Sequence, residues 1–473
     1  IGRKKQDMKH KIKLENIMCV FIILCPILDI ASFVFRNTFN TKISPSTIIR
    51  PIIPAIAILY LFIKKDGKFK KNMIIAGTIY AVYATIHIYL FNKIKTGMSF
   101  GSETHELQYI INYTFMIINL IVFTTVFKDE NVEKLNKSIL ISTGIYIGSI
   151  YIAILTKTSS HTYIEGMGYK GWFESGNSIS SILLLTMFIY LPYVKEKKYR
   201  KFIIPIIILV GAFLSMLIGT RAGLFGFILV IALYMGIEVL FNIIRNKKID
   251  KKFLIIGITG LAIVILVVIG FGSTTIQRRK HLKDIESDII DESSQENAHI
   301  TGSTLRIKEQ IENNEIVEGY MSEPQKQSIM DLYNIANKLQ VKNNDQRMQQ
   351  LIYNLALVKN QKNILLILFG NGYVANFSEL VLEMELVSML LNFGIVGFVL
   401  YMGPFIAILF AGLYYGIKYR KVIDSQYAFL WFGLAMAFAL SLLSGYTFFN
   451  LSSMIIIVSI STNLMKKMKE YKS

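Results

Sequence analysis

The sequence is poor in charged residues and almost devoid of cysteine. Of its 473 residues, 18% are charged and 53% are hydrophobic, and the mean hydropathy is +0.47. A soluble domain carries roughly 25% charged residues, so this composition argues against an ordinary cytosolic enzyme. Both cysteines, Cys19 and Cys25, lie in the first apolar run, which excludes a disulfide framework and a Cys-x-x-Cys metal site in the polar regions.

The apolar residues fall instead in runs that are long enough to cross a bilayer, which takes about 20 residues for each span. Twelve such runs predict an all-α integral membrane protein with about twelve transmembrane helices. The predicted spans cover residues 16–35, 46–63, 73–92, 107–127, 138–156, 177–194, 202–219, 222–244, 253–272, 387–416, 426–445 and 449–465.

Lysine and arginine predict the orientation, because loops that stay in the cytoplasm retain positive charge. One alternate set of loops holds 31 of the 51 lysines and arginines, and the opposite set holds 8 outside its one long loop. Both termini are therefore predicted to be cytoplasmic. The net charge of +19 is then explained by topology, and nucleic acid is not expected as a partner.

The spans and loops divide the chain into three parts. Residues 1–272 hold transmembrane helices 1–9, residues 273–386 form an extracytoplasmic loop, and residues 387–473 hold transmembrane helices 10–12 and a cytoplasmic tail. Within the loop, apolar residues recur at three- and four-residue spacing after Pro324 and again from Met348. This pattern predicts two amphipathic helices that lie on the membrane face or cap the bundle.

Ionisable residues inside membrane spans are costly and indicate a functional site. Their depth suggests an enzyme that acts on a lipid-linked substrate in the outer leaflet, since a transporter usually needs polar groups near the midplane. Only Glu238 lies toward the predicted cytoplasmic side. The residues toward the predicted outer side are Asp29, Arg50, His87, Arg221, Glu383 and Glu385.

Each of these residues also has a structural interpretation. For Asp29 and His87 we expect hydrogen bonds between helices. For Glu238 we expect a snorkelling or paired side chain, and Arg50 either snorkels or binds substrate.

Four segments on the predicted outer side resemble those of the O-antigen polymerase and ligase superfamily, integral-membrane glycosyltransferases that include the Wzy-type polymerases. Their order and spacing carry the resemblance over roughly residues 160–465, whereas the earlier spans match only in hydropathy. A weaker fifth match is Ser444-Gly445-Tyr446. The four segments are GYKGWFESGN at 168–177, IGTRAG at 218–223, QR at 346–347 with LFGNGY at 368–373, and EME at 383–385 with FGIVGF at 393–398.

The resemblance implies a GT-C-like fold in a bacterial plasma membrane. It also implies an inverting polymerase that transfers a glycan from an undecaprenyl-diphosphate donor to the terminal sugar of a lipid-linked repeat unit. Membrane lipids and a chain-length regulator are the other expected partners. The nearest alternative is a ligase that moves the finished chain to a different acceptor. The ligase branch commonly has a histidine where Glu383 stands, so the acid at this position disfavours a ligase. A lipid or polysaccharide flippase and a regulatory protein without chemistry are the others.

Arginine suits the leaving diphosphate, because it is always charged and binds phosphate oxygens bidentately. Arg221 and Arg347 are therefore predicted to bind the diphosphate, with Arg306 as an alternative to Arg347. Glu383 is the predicted base and Glu385 the second candidate. The two point about 200° apart on a continuous helix, so only one faces a given site.

Further residues are predicted to bind substrate, and each has a plainer interpretation. Aromatic residues often form an interfacial belt, asparagine often caps a helix, and two glycines often mark a simple turn. The sequence has no Asp-x-Asp pair, so we expect a metal-independent enzyme without a cofactor. The predicted substrate-binding residues are Arg50, Arg306, Trp172, Asn177, Gly370, Gly372 and Tyr446.

Overall fold

The structure, a computed structural model, consists almost entirely of helices in the part of the chain that it describes. A short antiparallel hairpin precedes the sixth helix and pairs Ser160 with Gly171. The structure describes residues 13–39, 44–94, 103–128, 131–163, 166–195, 200–245, 303–316, 321–341, 345–373, 380–443, 445 and 447–472, with single residues and short stretches between 255 and 280.

The elements follow the order expected from the apolar runs. They are α1 (Leu14–Phe39), α2 (Pro45–Lys64), α3 (Gly67–Ile94), α4 (Glu103–Val126), α5 (Asn131–Leu155), β1 (Ser160–His161), β2 (Tyr169–Gly171), α6 (Gly176–Lys195), α7 (Arg200–Ile218), α8 (Arg221–Ile244), α9 (Ser303–Glu312), α10 (Glu323–Lys338), α11 (Gln346–Gln361), α12 (Ile364–Phe369), α13 (Glu385–Lys418), α14 (Ser425–Leu443) and α15 (Leu451–Glu470).

Within the described residues, eight helices are long and apolar enough to cross a membrane, namely α1, α3, α4, α5, α6, α8, α13 and α14. This finding confirms the predicted all-α integral membrane protein. The predicted spans at 46–63, 202–219 and 449–465 coincide with α2, α7 and α15, which pack against those helices. Half of the predicted span at 253–272 lies outside the described residues, so the total of twelve stays a prediction.

The last helix, α15, has a low mean hydropathy for a reason that lies in its position. It packs against α4, α6 and α14 in the middle of the bundle, and nearly all of its residues up to Leu464 are buried. Its hydroxyl and amide side chains therefore face protein rather than lipid. Asn463 exchanges hydrogen bonds of 3.0 and 3.2 Å with Asn136 of α5, as expected where polar groups join helices inside a membrane protein.

The two amphipathic stretches of the long polar region are helices, as predicted. α10 and α11 form a small apolar core of their own, which includes Ile329, Leu332, Ile352 and Leu357. The short helix α12 then joins this region to α3 and α13. In α13 the backbone kinks at Gly394, which has a φ of 70° and a ψ of 178°.

Candidate functional site

A polar cavity of about 260 Å³ lies between α1, α2, α4, α6 and α15. It lies at the end of the bundle that the charge pattern predicts to be the outer one. Four charged side chains line it, those of Asp29, Arg36, Arg50 and Glu174. The remaining lining groups are amides, hydroxyls, two phenylalanines and the aliphatic side chains of Ile179, Ile182 and Leu451. Charged side chains within membrane helices usually face such a cavity and mark a substrate site.

Arg50 is held deep in this cavity and does not snorkel. Its side chain is only 6% exposed, and Nη2 lies 2.8 Å from Asp29 Oδ1. The same nitrogen donates to the Cys25 carbonyl at 2.9 Å and to Ser452 Oγ at 2.7 Å. Asp29 also accepts hydrogen bonds from Tyr146 at 2.5 Å and from Ser452 at 2.7 Å. Asp29 thus makes the interhelical hydrogen bonds expected of it, and the cluster is a fixed part of the cavity wall.

The second ion pair of the cavity is accessible. Arg36 Nη1 lies 2.8 Å from Glu174 Oε2, and the two side chains are 44% and 46% exposed. An exposed pair of this kind contributes little to stability, so Arg36 can exchange Glu174 for another anion at low cost. The sequence reasoning overlooked both residues. Arg36 stands at the end of the first span, and Glu174 lies within the GYKGWFESGN segment.

The segment that carries Glu174 is shaped by β1, β2 and Trp172. Trp172 Nε1 donates to Thr158 Oγ1 at 2.9 Å, so this indole ties the hairpin together. Trp172 is not among the described residues that line the cavity, although its neighbours Phe173 and Glu174 are. Asn177, also predicted to bind substrate, lies half-buried in the first turn of α6.

The structure brings together Arg347 and Glu383, two of the four predicted catalytic residues. Arg347 Nε lies 3.1 Å from Glu383 Oε2, and the side chains are 40% and 38% exposed. Arg347 Nη1 also donates to the Leu443 carbonyl, while the Glu383 amide donates to Gln350 Oε1 at 3.1 Å. The pair therefore stands at the junction between α11 and the bundle, oriented but open to solvent.

Glu385 has a different setting from Glu383. Its buried carboxylate accepts hydrogen bonds from three successive backbone amides, those of Thr447 at 2.7 Å, Phe448 at 2.9 Å and Phe449. These bonds occupy the carboxylate, which makes it ill-suited to act as a base. They fix the segment before α15, whose Phe449 and Asn450 line the polar cavity.

The same segment also passes beside Glu383. A Cβ at Gly445, where φ is +66°, would lie 2.2 Å from the Glu383 carbonyl oxygen. Gly445 and residues 447–450 therefore lie between the Arg347–Glu383 pair and the wall of the polar cavity.

Gly370 and Gly372, both predicted to bind substrate, allow the turn after α12 to pack against the kink of α13. A Cβ at Gly370 would lie 2.1 Å from the Asn392 carbonyl oxygen. The amides of Asn371 and Gly372 donate to the carbonyls of Leu391 at 3.2 Å and Asn392 at 2.8 Å. Because these amides are already bonded, the turn does not offer them to a phosphate.

A buried pair, His87 and Glu106, holds the other side of this turn. His87 Nε2 lies 2.6 Å from Glu106 Oε1, and Nδ1 lies 2.6 Å from the Phe369 carbonyl oxygen. The Tyr373 amide donates to the second Glu106 oxygen at 2.9 Å. Neither side chain of the pair is exposed. The hydrogen bond expected of His87 is present, but its partner Glu106 was not predicted.

The signal for that pairing was available in the sequence. His87 and Glu106 stand near the outer ends of two consecutive predicted spans, and ionisable residues at matching depth tend to pair. Tyr373 packs beside them, with its ring 3.9 Å from that of Tyr109. Burial raises the pKa of the Tyr373 phenol well above its usual value, so the phenol stays neutral.

Arg221, the first predicted diphosphate ligand, is the first residue of α8 and is exposed. Thr220 caps this helix by accepting a hydrogen bond from the Gly223 amide at 3.1 Å. Arg221 does not belong to the described residues that line the polar cavity. Arg306 lies in α9, but its side chain is outside the described part of the structure, and so is Tyr446.

Two further expectations concern metal ligands and Glu238. In the part of the chain that the structure describes, no group of three or more His, Cys, Asp or Glu residues is placed to hold a metal ion. At the other end of the bundle, Glu238 lies 2.5 Å from Lys195 Nζ and accepts a hydrogen bond from Ser425 at 2.6 Å. Glu238 is therefore paired, one of the two possibilities expected for it.

Comparison with known proteins gives one family for almost the whole chain. A family model described as O-antigen ligase like membrane protein matches residues 11–471. A search of curated proteins gives no match.

Proposed function

We propose that this chain, which belongs to the O-antigen ligase like membrane protein family, is a polysaccharide polymerase. It transfers a growing glycan from an undecaprenyl-diphosphate donor to the terminal sugar of a second lipid-linked repeat unit. The family indicates a membrane glycosyltransferase, and the resemblance at Glu383 favours the polymerase over the ligase.

The observation that carries this proposal is the polar cavity with its accessible Arg36–Glu174 pair. Its volume of about 260 Å³ is close to the lower limit of small-molecule sites, which is about 300 Å³. The cavity combines positive charge for a phosphate, amides and hydroxyls for sugar hydroxyls, and the rings of Phe173 and Phe449. These side chains complement the phosphates, hydroxyls and sugar rings of a sugar diphosphate.

The proposed reaction is a single displacement. The acceptor hydroxyl oxygen attacks the anomeric carbon, the bond from that carbon to the diphosphate oxygen breaks, and the leaving diphosphate takes the electron pair. Glu383 accepts the hydroxyl proton, and Arg347 orients Glu383. Configuration at the anomeric carbon is inverted because the attack comes from the face opposite the leaving group.

The diphosphate is assigned to Arg36 and Arg221. Arg36 pairs with a partner that it can release, and Arg221 is exposed at a helix end where a lipid-borne substrate can approach. Groups of this kind, when aimed at developing charge, typically contribute about 3–4 kcal/mol each to transition-state stabilisation. Arg50 positions Asp29 and the cavity wall through Nη2, which contacts Asp29, Cys25 and Ser452.

The remaining predicted residues keep more limited roles in this proposal. Asn177, Arg306 and Tyr446 are proposed to contact the sugar or the phosphates. Trp172 positions the segment that carries Glu174, and Glu385 positions the segment before α15.

The proposed setting is a bacterial plasma membrane with both termini in the cytoplasm. Residues 273–386 then form the extracytoplasmic part, with residues 1–272 and 387–473 as the membrane parts on either side. The charge distribution over the loops supports this orientation. A chain-length regulator is a proposed partner, and the reaction is proposed to need no metal.

The test is a glycan assay with purified protein and one lipid-diphosphate oligosaccharide, which serves as both donor and acceptor. A polymerase gives a gel ladder at repeat-unit intervals, and the ladder survives EDTA. A ligase gives no ladder until a different acceptor is added. A flippase gives no glycan product but moves the lipid across vesicles.

Two variants connect the assay to the site. Glu383→Gln is expected to abolish the ladder with an unchanged melting temperature. Arg420→Ala removes an exposed arginine in the turn after α13, far from the polar cavity, and is expected to leave the ladder intact. A full ladder from Glu383→Gln would show that Glu383 is not the base.

A further inference from the structure

We propose that the bundle binds the phosphate group of an anionic phospholipid at the end opposite the polar cavity. A second cavity of about 290 Å³ lies there, where α4 and α15 end. Its lining includes Lys128, Lys466 and Lys469 together with the hydroxyls of Thr124 and Thr462. This site is independent of the proposed glycan transfer.

The position of the basic cavity follows from the length of α15. This helix begins at Leu451, which lines the polar cavity, and ends at Glu470, which lines the basic cavity. Its 20 residues extend about 30 Å at 1.5 Å per residue. That length equals the typical thickness of the bilayer hydrocarbon core, so the basic cavity lies at the level of lipid headgroups.

The charges around the basic cavity are unevenly balanced. Lys467, on a neighbouring face of α15, lies 2.8 Å from Asp424. Glu470 is shared, since it lies 3.6 Å from Lys466 and 3.8 Å from Lys467. Among the described residues, no carboxylate forms an ion pair with Lys469. One lining carboxylate thus stands against three lining lysines, which leaves the cavity positive.

Lysines at the end of a membrane helix have ordinary explanations, because the helix dipole favours them and their stems snorkel. Neither explanation accounts for a cavity on which basic side chains and hydroxyls from two helix ends converge. Basic pockets between membrane helices bind anionic headgroups. Phe127 and Met465 also line the cavity and supply apolar contact for the glycerol and upper acyl carbons.

The proposal depends on Lys466 and Lys469 more than on Lys128. Asp129 and Glu130 follow Lys128 in the sequence and lie outside the described residues. The two lysines of α15 are three positions apart, so they share one helix face. They are therefore the residues to change.

The test compares two double variants of the full chain in detergent. Lys466→Gln with Lys469→Gln alters the basic cavity. Lys418→Gln with Lys421→Gln removes the same charge from exposed positions at the last residue of α13 and in the turn that follows, at the same end of the bundle. Native mass spectrometry counts retained phosphatidylglycerol or phosphatidylcholine, and melting curves with each lipid give apparent affinities. Melting temperatures without lipid show whether each variant is folded.

We expect phosphatidylglycerol, and not phosphatidylcholine, to bind the unchanged protein and the Lys418/Lys421 variant. The Lys466/Lys469 variant is expected to bind phosphatidylglycerol about thirtyfold more weakly, because each lysine contributes about 1 kcal/mol to the binding free energy. Equal affinity in the two double variants would overturn the proposal. If inorganic phosphate alone stabilises the protein as strongly as phosphatidylglycerol, the site takes free phosphate and the lipid assignment is wrong. If the double variant fails to fold, Lys469→Gln alone is tested against Lys421→Gln, with an expected loss of about fivefold.

Discussion

Replacing His87 by alanine is expected to destabilise the junction between the bundle and the turn after α12. The substitution removes the partner of the Glu106 carboxylate and of the Phe369 carbonyl, both 2.6 Å from the imidazole. Each buried polar group that is left without a partner costs about 1–3 kcal/mol. We therefore expect His87→Ala, which leaves two such groups, to lower the free energy of unfolding by about 2–6 kcal/mol.

Glu106→Gln is the matched variant, because hydrogen-bond geometry predicts a much smaller effect. In this variant the imidazole N–H at Nδ1 donates to the Phe369 carbonyl. The glutamine amide group then donates to Nε2, while its oxygen accepts the Tyr373 amide. Since every donor keeps an acceptor, the expected loss is within about 1.5 kcal/mol, the value of a single net hydrogen bond.

The assay has a global and a local readout. Reversible denaturation in mixed micelles gives the free energy of unfolding of each variant. Amide hydrogen exchange at residues 370–373 reports whether the turn still packs on the bundle. His87→Ala is expected to lose protection there, with Glu106→Gln close to the unchanged protein. If both substitutions have equally small effects and residues 370–373 stay protected, His87 does not hold the turn after α12.

Three further predictions concern the same framework. Glu385→Ala leaves three backbone amides without their acceptor, which costs about 1–3 kcal/mol for each buried amide. Thermal melting should therefore show a large loss of stability. A near-native melting temperature would show that Glu385 does not hold the segment before α15. Gly394→Ala places a Cβ 2.4 Å from the Leu368 carbonyl oxygen at a φ of +70° and should cost more than about 1–3 kcal/mol of backbone strain. Gly403→Ala in the same helix, with its nearest neighbour at 3.7 Å, should cost nothing in the same melting assay. Burial raises the pKa of Asp424, but the hydrogen bond and charge of Lys467, with hydrogen bonds from Tyr427 and Tyr471, leave the pKa below its usual value. The stabilisation is therefore fully present above the unfolded pKa of about 3.9 and is lost as the pH falls through the lower folded pKa. Lys467→Gln should lower the melting temperature more at pH 7 than at pH 3.

Much of the fold could be predicted because it depends on local patterns. Long apolar runs predict membrane helices, and the three- and four-residue spacing after Pro324 predicts α10. Most boundaries agree within a few residues, but α3 and α5 begin six and seven residues before the predicted spans, because their polar first turns are helical as well. The interior position of α15 was not visible in this way, because hydropathy does not distinguish a face toward lipid from a face toward protein.

The site was harder to predict because its contacts join residues that are far apart in sequence. Arg36 and Glu174 are 138 residues apart, and neither belongs to a pattern that predicts the other. Arg50 and Asp29 could have been paired, since both lie near the outer ends of adjacent predicted spans. Glu385 resembled a second base because its backbone partners, which follow α14, cannot be inferred from spacing.

The proposed function requires that the polar cavity receives the lipid-linked glycan, with Arg36 at its phosphates. The most direct measurement is the initial rate of ladder formation in Arg36→Ala beside Arg420→Ala, each at saturating substrate and with its melting temperature recorded. Loss of one pre-aimed donor typically lowers kcat by about 10²–10³. We expect that loss for Arg36→Ala, with an unchanged melting temperature and a normal rate for Arg420→Ala. Equal rates in the two variants would contradict it.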